Sequence, residues 1–353
     1  MIFNRERETN KFLFKRIPLI LVMIFTFASL SGCGSKKDEE KKDTVFVFAG
    51  NPISKGEVYI YAQTIIEDYE ATYGKDVWNM QVTVSDGTEM NMEEATRRDI
   101  IDAIVRVKVL SSMAKNKGIE LDDNEKAAEI NKADIFFNRL TDEQIDRMEL
   151  TESLVQNVFC ENLLANKVYT AIVKEAGIEM SDEDARVTTF YDMFFSYYTE
   201  NINGEIFEIN DEKKSEQLEK ADQAYATLTN PSSEDGVDIE GLSTFYKLKN
   251  SGYYTLTPKE IKAEYGEKIY DILYELEDGS YSVVVETEYG YHIFYMKYKT
   301  DQEATAERKA KLVAEAEERY FASKLPQWIA DLDKGYSYTG SVNFDVYKQI
   351  SFR

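Results

Sequence analysis

The chain has 353 residues, of which 43% are hydrophobic, and a formal net charge of −23. It is long enough for one large domain or two to three ordinary ones and apolar enough to bury cores, which argues against disorder throughout. The charge argues against a nucleic-acid partner, since no basic stripe exists to neutralise phosphates. One histidine and two cysteines cannot build an ordinary zinc site, and neither a metal nor a cofactor is expected.

In chain order, Arg5, Arg7, Lys11, Lys15 and Arg16 form a basic start. "IPLILVMIFTFASL" (Ile17–Leu30) follows, an apolar stretch too short for a comfortable membrane span. "LSGC", Leu30 to Cys33, resembles the lipobox of bacterial lipoproteins. The resemblance implies that residues 1–33 are a signal peptide and lipobox, and that Cys33 is lipidated. It also implies a protein lipid-anchored on the extracytoplasmic face of the cell membrane, in a Gram-positive bacterium. Residues 34–43, "GSKKDEEKKD", are a charged tether that cannot bury a core. Cys160 is then left without an intramolecular partner and reads as a small core residue on a helix.

Residues 44–181 read as a mainly helical domain. Val45–Phe48 is a short strand, an Asn-Pro turn follows, and Ser54 with Glu57 makes a capping box that starts a helix. Ile100, Ile101, Ile104, Val107, Leu110 and Met113 recur at helical spacing until Gly118. A further helix from about Glu152 turns Val155, Phe159, Leu163, Tyr169 and Val173 inward and ends at Gly177. "NKGIELDDNEKA" and "EAGIEMSDEDAR" echo each other, which is read as helix punctuation rather than a repeat.

The pattern changes over residues 182–300. "RVTTFYDMFFSYY" is a buried strand, "DEKKSEQLEKADQAYATLTN" a helix stopped by Pro231, and "GLSTFYKLK" and "SGYYTL" are short strand candidates. "TPKEIKAEYGEKIYDILYEL" reads as one helix with Ile261, Tyr265, Ile269, Ile272 and Leu276 on one face. "YSVVVETEYGYHIFYMKY" is a strand pair turning near Glu288–Gly290. Such an order suits a small α+β domain with an antiparallel-rich sheet. Over residues 301–353 the helical period returns, with Pro326 expected to kink the helix. Helical, α+β, helical suggests an inserted domain, the last segment packing back on the first.

"LEDGSYSVVVETEYGYHIFY" (Leu276–Tyr295) holds the single histidine, His292. Its Leu276, Gly279, Ser282, Thr287, Gly290, Tyr291, His292 and Ile293 resemble the last segment of parvulin-type peptidyl-prolyl isomerase domains. The whole layout resembles extracytoplasmic foldase lipoproteins of the PrsA type, with SurA-like helical segments flanking a parvulin domain. The resemblance implies an α+β parvulin-like domain inserted in a helical SurA-like chaperone domain. It implies isomerisation of X-Pro bonds in secreted proteins, with Thr287 and His292 sharing a hydrogen-bond network beneath the bound proline. Tyr265 and Ile269 match the positions that line the proline pocket, and Tyr291 adjoins it. The family's second histidine, on its first strand, is missing from "RVTTFYDMFF", where Asp192 is the nearest polar candidate. The family's Gly-Asp-Leu-Gly stretch is not recognisable either.

A hydrolase is disfavoured, because no Gly-x-Ser-x-Gly elbow occurs and His292 sits within a strand. The expected partners are unfolded or newly secreted polypeptides and, through the lipid anchor, the membrane; a homodimer is also open. The competing reading is a holdase chaperone whose parvulin domain is catalytically degenerate. A third is a lipoprotein that binds a peptide or a cell-wall component.

Overall fold

The computed structural model describes residues 44–84, 87–229 and 238–350. The basic start, Cys33, the tether and Pro231 lie outside the described residues. The chain divides into two compact units, Glu179–Ala316 and a second that joins residues before Glu179 to those from Glu317 onward.

The helical unit begins with an antiparallel pair, β1 (Thr44–Phe48) and β2 (Asn51–Ser54). The turn is Ala49–Gly50, with φ of 50° and 77°, not the expected Asn51–Pro52. A two-residue hairpin turn of this kind needs positive φ at both positions, which proline cannot adopt, so Pro52 pairs with Val47 instead. Ser54 caps α1 (Lys55–Tyr73), its Oγ accepting the Glu57 N–H at 3.1 Å. The capping box stays open. The Glu57 carboxylate is buried and lies 2.7 Å from Lys108 Nζ, a charge partner that burial demands.

A strand pair, β3 (Gln81–Thr83) and β4 (Glu89–Asn91), leads to α2 (Met92–Lys117), α3 (Asp123–Asn138), α4 (Asp142–Met148) and α5 (Glu152–Ala176). Gly118 and Gly177 end α2 and α5 in the left-handed conformation that glycine adopts at least cost. Ile100, Ile101 and Ile104 of α2 meet Val155 and Phe159 of α5 in one core. The two Gly-Ile-Glu segments are indeed punctuation: Asp122 caps α3 and Ser181 caps the helix after α5. Cys160 is half-buried on α5, and burial pushes its thiol up.

The α+β unit starts with α6 (Asp182–Ala185) and β5 (Thr188–Ser196). A hairpin, β6 (Tyr198–Glu200) and β7 (Ile206–Glu208), precedes α7 (Asp211–Thr229) and α8 (Ile239–Phe245). Then come β8 (Gly252–Leu256), α9 (Pro258–Tyr265), α10 (Glu267–Glu275), β9 (Val285–Thr287) and β10 (Gly290–Tyr298). The sheet has the order β8-β5-β10-β9, with every pairing antiparallel. Its two central strands are covered on both faces, which is why β5 reads as a continuous apolar run. Phe190, Phe294 and Met296 meet Ile261, Ile269 and Leu273 of α9 and α10 on one face. Met193, Phe195 and Ile293 meet Ala221, Ala224 and Ile239 of α7 and α8 on the other.

Two elements differ from the sequence reading. "GLSTFYKLK" begins within a helix, α8, rather than a strand. Asp238 caps it by accepting the N–H groups of Glu240 and Gly241, and Ile239 and Ser243 turn inward at helical spacing. The single helix expected from residue 257 is two, because Gly266 at φ 83° and ψ 167° leaves the helical region between Tyr265 and Glu267.

α11 (Gln302–Leu332) carries Pro326 within it, and α12 (Tyr338–Ser341) and α13 (Phe344–Tyr347) follow. In the helical unit, Phe321 of α11 packs with Leu110, Ala165, Val168 and Ile172. Asn343 N–H donates to the Val45 carbonyl at 2.7 Å, and Arg97 Nη1 and Nη2 donate to the carbonyls of Tyr347 and Ile350 at 2.9 and 2.8 Å.

Candidate functional site

Antiparallel register places Asp192 opposite Phe294 and Phe194 opposite His292. Asp192 and His292 are therefore diagonal neighbours on one sheet face, the distance at which long side chains meet. His292 Nδ1 lies 2.9 Å from Asp192 Oδ1. A carboxylate accepts, so Nδ1 carries the proton. Nε2 lies 3.1 Å from Thr287 Oγ1. The Thr287 hydroxyl also faces the Gly290 carbonyl at 3.2 Å and accepts the Tyr289 N–H at 3.2 Å. Its one proton serves either the ring nitrogen or the carbonyl.

The imidazole is clamped. Phe194 stacks on it at 4.4 Å and 21°, and Phe294 at 5.4 Å and 9°. Asp192 and His292 are both buried, at 3% and 6% exposure. The strand before the ring must be glycine. Gly290 has φ 152°, and a Cβ there would sit 2.2 Å from the Phe195 carbonyl oxygen and 2.8 Å from Phe194 Cε2.

Tyr265, the last residue of α9, closes the network from the helix side. Its hydroxyl lies in the field of the Asp192 carboxylate. Its ring meets Phe190 at 5.7 Å and both Tyr254 and Phe294 at 6.0 Å. Burial first, and the Asp192 charge second, hold its hydroxyl far above the ordinary tyrosine range. Burial pushes Tyr254 up as well.

The structure thus brings Asp192, His292, Thr287 and Tyr265 together. Ile269 is 2% exposed and stands behind them in the core with Phe190, Leu273 and Val285. Tyr291 is set apart: strand alternation turns it to the opposite face, where it meets Tyr197 at 5.3 Å. The sequence reading missed Phe194, Phe294 and Tyr254. Counting in twos from Asp192 and His292 would have found the first two. Ser282 is buried and engaged by the backbone, its Oγ accepting the Phe294 N–H and donating to the Val283 carbonyl. Among the described residues, no group of histidine, cysteine, aspartate and glutamate is placed to hold a metal ion. The arrangement is a line of hydrogen-bonding groups set among aromatic side chains, with Thr287 at its half-buried end.

Residues 2–176 match the family described as SurA-like N-terminal domain. The matched segment, just under half of the chain, ends where α5 does, just before the α+β unit that holds the site. The chain is also similar to "Foldase protein PrsA" of Caldanaerobacter subterraneus subsp. tengcongensis, 27% identical over 289 residues that span 79% of this chain and 81% of the relative. Similarity to "Foldase protein PrsA" of Clostridium acetobutylicum is 22% over 306 residues, spanning 80% and 83% of the two chains. Among solved structures it is similar to a peptidylprolyl isomerase (PrsA) from Bacillus cereus, with 17% identity, a TM-score of 0.25 and coverage of 78% of this chain and 99% of that one. Among the described residues, no helix is long and apolar enough to cross a membrane.

Proposed function

We propose that the protein is an extracytoplasmic foldase, anchored by lipid on Cys33, whose α+β unit isomerises X-Pro bonds in secreted polypeptides. The observation that carries this reading is the Asp192–His292–Thr287 line, laid against the aromatic side chains of Tyr265 and Phe294. The family's paired histidines are replaced here by an aspartate and a histidine in hydrogen-bond contact. The names of the relatives support the foldase role.

The chemistry asks little of such a site. Rotation about the amide crosses a barrier of about 18–20 kcal/mol, and no bond to the enzyme forms. The twisted amide has lost charge separation, so aromatic walls that exclude water favour it over the planar form. Thr287, the half-buried end of the line, offers its hydroxyl. Asp192 holds His292, and His292 holds Thr287.

A second reading has its own observation. His292 is 6% exposed and stacked with two phenylalanines, as a strand-bridging core histidine would be. In that case the protein is a holdase chaperone and the α+β unit is scaffold. Isomerisation of a short prolyl peptide, measured beside suppression of aggregation of an unfolded client, separates the two. Catalysis supports the foldase reading; aggregation suppression without catalysis supports the holdase. Lipid labelling of wild type against Cys33→Ala tests the anchor, and equal labelling would exclude it.

A further inference from the structure

The β6–β7 hairpin carries an unusual surface. It runs on from β5 and its base is pinned beside the site, where Tyr197 N–H donates to the Tyr289 carbonyl and Ile209 N–H to the Tyr197 carbonyl, both at 2.8 Å. Tyr289 in turn donates its N–H to Thr287 Oγ1. The pairing Thr199 with Phe207 and Glu200 with Ile206 puts Phe207 and Ile206 on opposite faces of the ribbon. Both are exposed, at 48% and 45%, as is Tyr289 at 42%, and Ile202 at the tip is fully so. A ribbon that served only to cover a core would hide one apolar face. This one tucks only Tyr198 against the core at its base and leaves Ile202, Ile206 and Phe207 out, and exposed apolar side chains add nothing to a two-stranded ribbon that is marginal alone. Residues 198–208 include three glutamates and no lysine or arginine. Lys249 and Lys214 approach Glu200 and Glu208 from outside the ribbon.

We propose that this ribbon, with Tyr289, is a holding surface for an extended segment of client polypeptide, apolar and basic, that runs on from the prolyl bond seated at Thr287. The proposal rests on the prolyl-site reading for its starting point. Continuity fixes the occupant: the ribbon begins at the turn that carries the Thr287 hydroxyl, so the client chain leaving that site meets it first. The three-residue strands span about 10 Å, the length of roughly three extended client residues. The acidic ribbon in a chain of net charge −23 repels acidic segments and favours basic ones.

The test uses the full-length protein and three labelled probes. One is an extended peptide of alternating leucine and lysine around a single Ala-Pro. The second has aspartate in place of lysine. The third is a short Ala-Pro peptide without the flanks. The double variant Ile202→Ser, Phe207→Ser changes only exposed side chains, and circular dichroism checks its fold. The expected result is about tenfold weaker binding of the leucine-lysine peptide by the variant in fluorescence anisotropy, equivalent to about 1.4 kcal/mol, with turnover of the short peptide unchanged. Wild type should bind the aspartate peptide more weakly than the lysine peptide. Equal binding by variant and wild type overturns the proposal, as does equal affinity for the two extended peptides. A wild-type dimer that the variant abolishes overturns it too, by making a second copy the occupant. Anisotropy reads binding without turnover, so absent isomerisation would defeat the prolyl reading while leaving the ribbon to be judged on its own.

Discussion

Asp192 Oδ1 lies 2.9 Å from His292 Nδ1, between two buried strands. The carboxylate satisfies a buried ring N–H. Asp192→Ala should strand that donor and lower the stability of the α+β unit by about 1–3 kcal/mol. Asp192→Asn keeps an acceptor oxygen and should cost less than half as much. Urea unfolding followed by near-ultraviolet circular dichroism of the aromatic cluster measures both, and equal losses would count against this account.

Gly290→Ala should be among the most damaging single substitutions in the unit. The new methyl would lie 2.2 Å from the Phe195 carbonyl oxygen, so β5 and β10 must separate where Phe194 stacks on His292. A loss of at least about 2 kcal/mol is expected. Gly279→Ala, at φ 80° but with open space around the new methyl, should cost about 1 kcal/mol. Thermal unfolding of the two variants should rank them in that order.

Features set by near neighbours were legible in the sequence. Ser54, Gly118 and Gly177 mark helix ends because capping is decided within one turn. Asp192 stood out as a lone acid on an apolar strand. Features set by distant partners were not legible. Glu57 leaves its capping box for Lys108, fifty-one residues on. Gly266 breaks a helix whose apolar period continues through it from Ile261 to Ile269, so the period concealed the break. The aromatic content of "GLSTFYKLK" suggested a strand, while the capping residue, Asp238, lies just before Ile239, outside the quoted stretch. Asn203-Gly204, a turn signal between Tyr198 and Glu208, would have revealed the hairpin.

Stability should fall as pH rises through neutrality, and Glu129 is the cause. It is buried on α3, and burial raises its carboxyl from 4.5 to about 7. Lys132 lies 3.3 Å away on the same helix, with Cys160 facing from α5 and Lys126 near the thiol. A raised carboxyl favours the folded state fully below the unfolded value and loses that contribution as pH climbs through the folded one. Glu129→Gln should therefore change little at pH 4 and stabilise the helical unit at pH 8. Denaturant midpoints at the two pH values check this; a stabilisation larger at pH 4 would reverse the sign and refute it.

Arg97 holds the C-terminal segment of the helical unit. Its guanidinium donates to the carbonyls of Tyr347 and Ile350, and its carbonyl accepts the Tyr347 hydroxyl at 2.7 Å. Arg97→Met keeps the stem and loses both hydrogen bonds to these carbonyls, at about 1.5–3 kcal/mol each, together with the ion pair to Glu93. Amide hydrogens of residues 343–350 should then exchange with solvent faster, while those of α5 keep their protection. Unchanged exchange at 343–350 would show that the clamp does not hold the segment.

The central claim is that the Asp192–His292–Thr287 line supports prolyl isomerisation. Exchange spectroscopy by nuclear magnetic resonance on a short Ala-Pro peptide reads the cis–trans rate directly, against an uncatalysed time of tens to hundreds of seconds. The full-length protein should accelerate exchange. Thr287→Val, which keeps the shape and removes the hydroxyl, should lower that acceleration about tenfold, or roughly 1.4 kcal/mol of barrier, without altering the circular dichroism spectrum. An uncatalysed rate with folded wild-type protein, or full acceleration by Thr287→Val, would contradict the account.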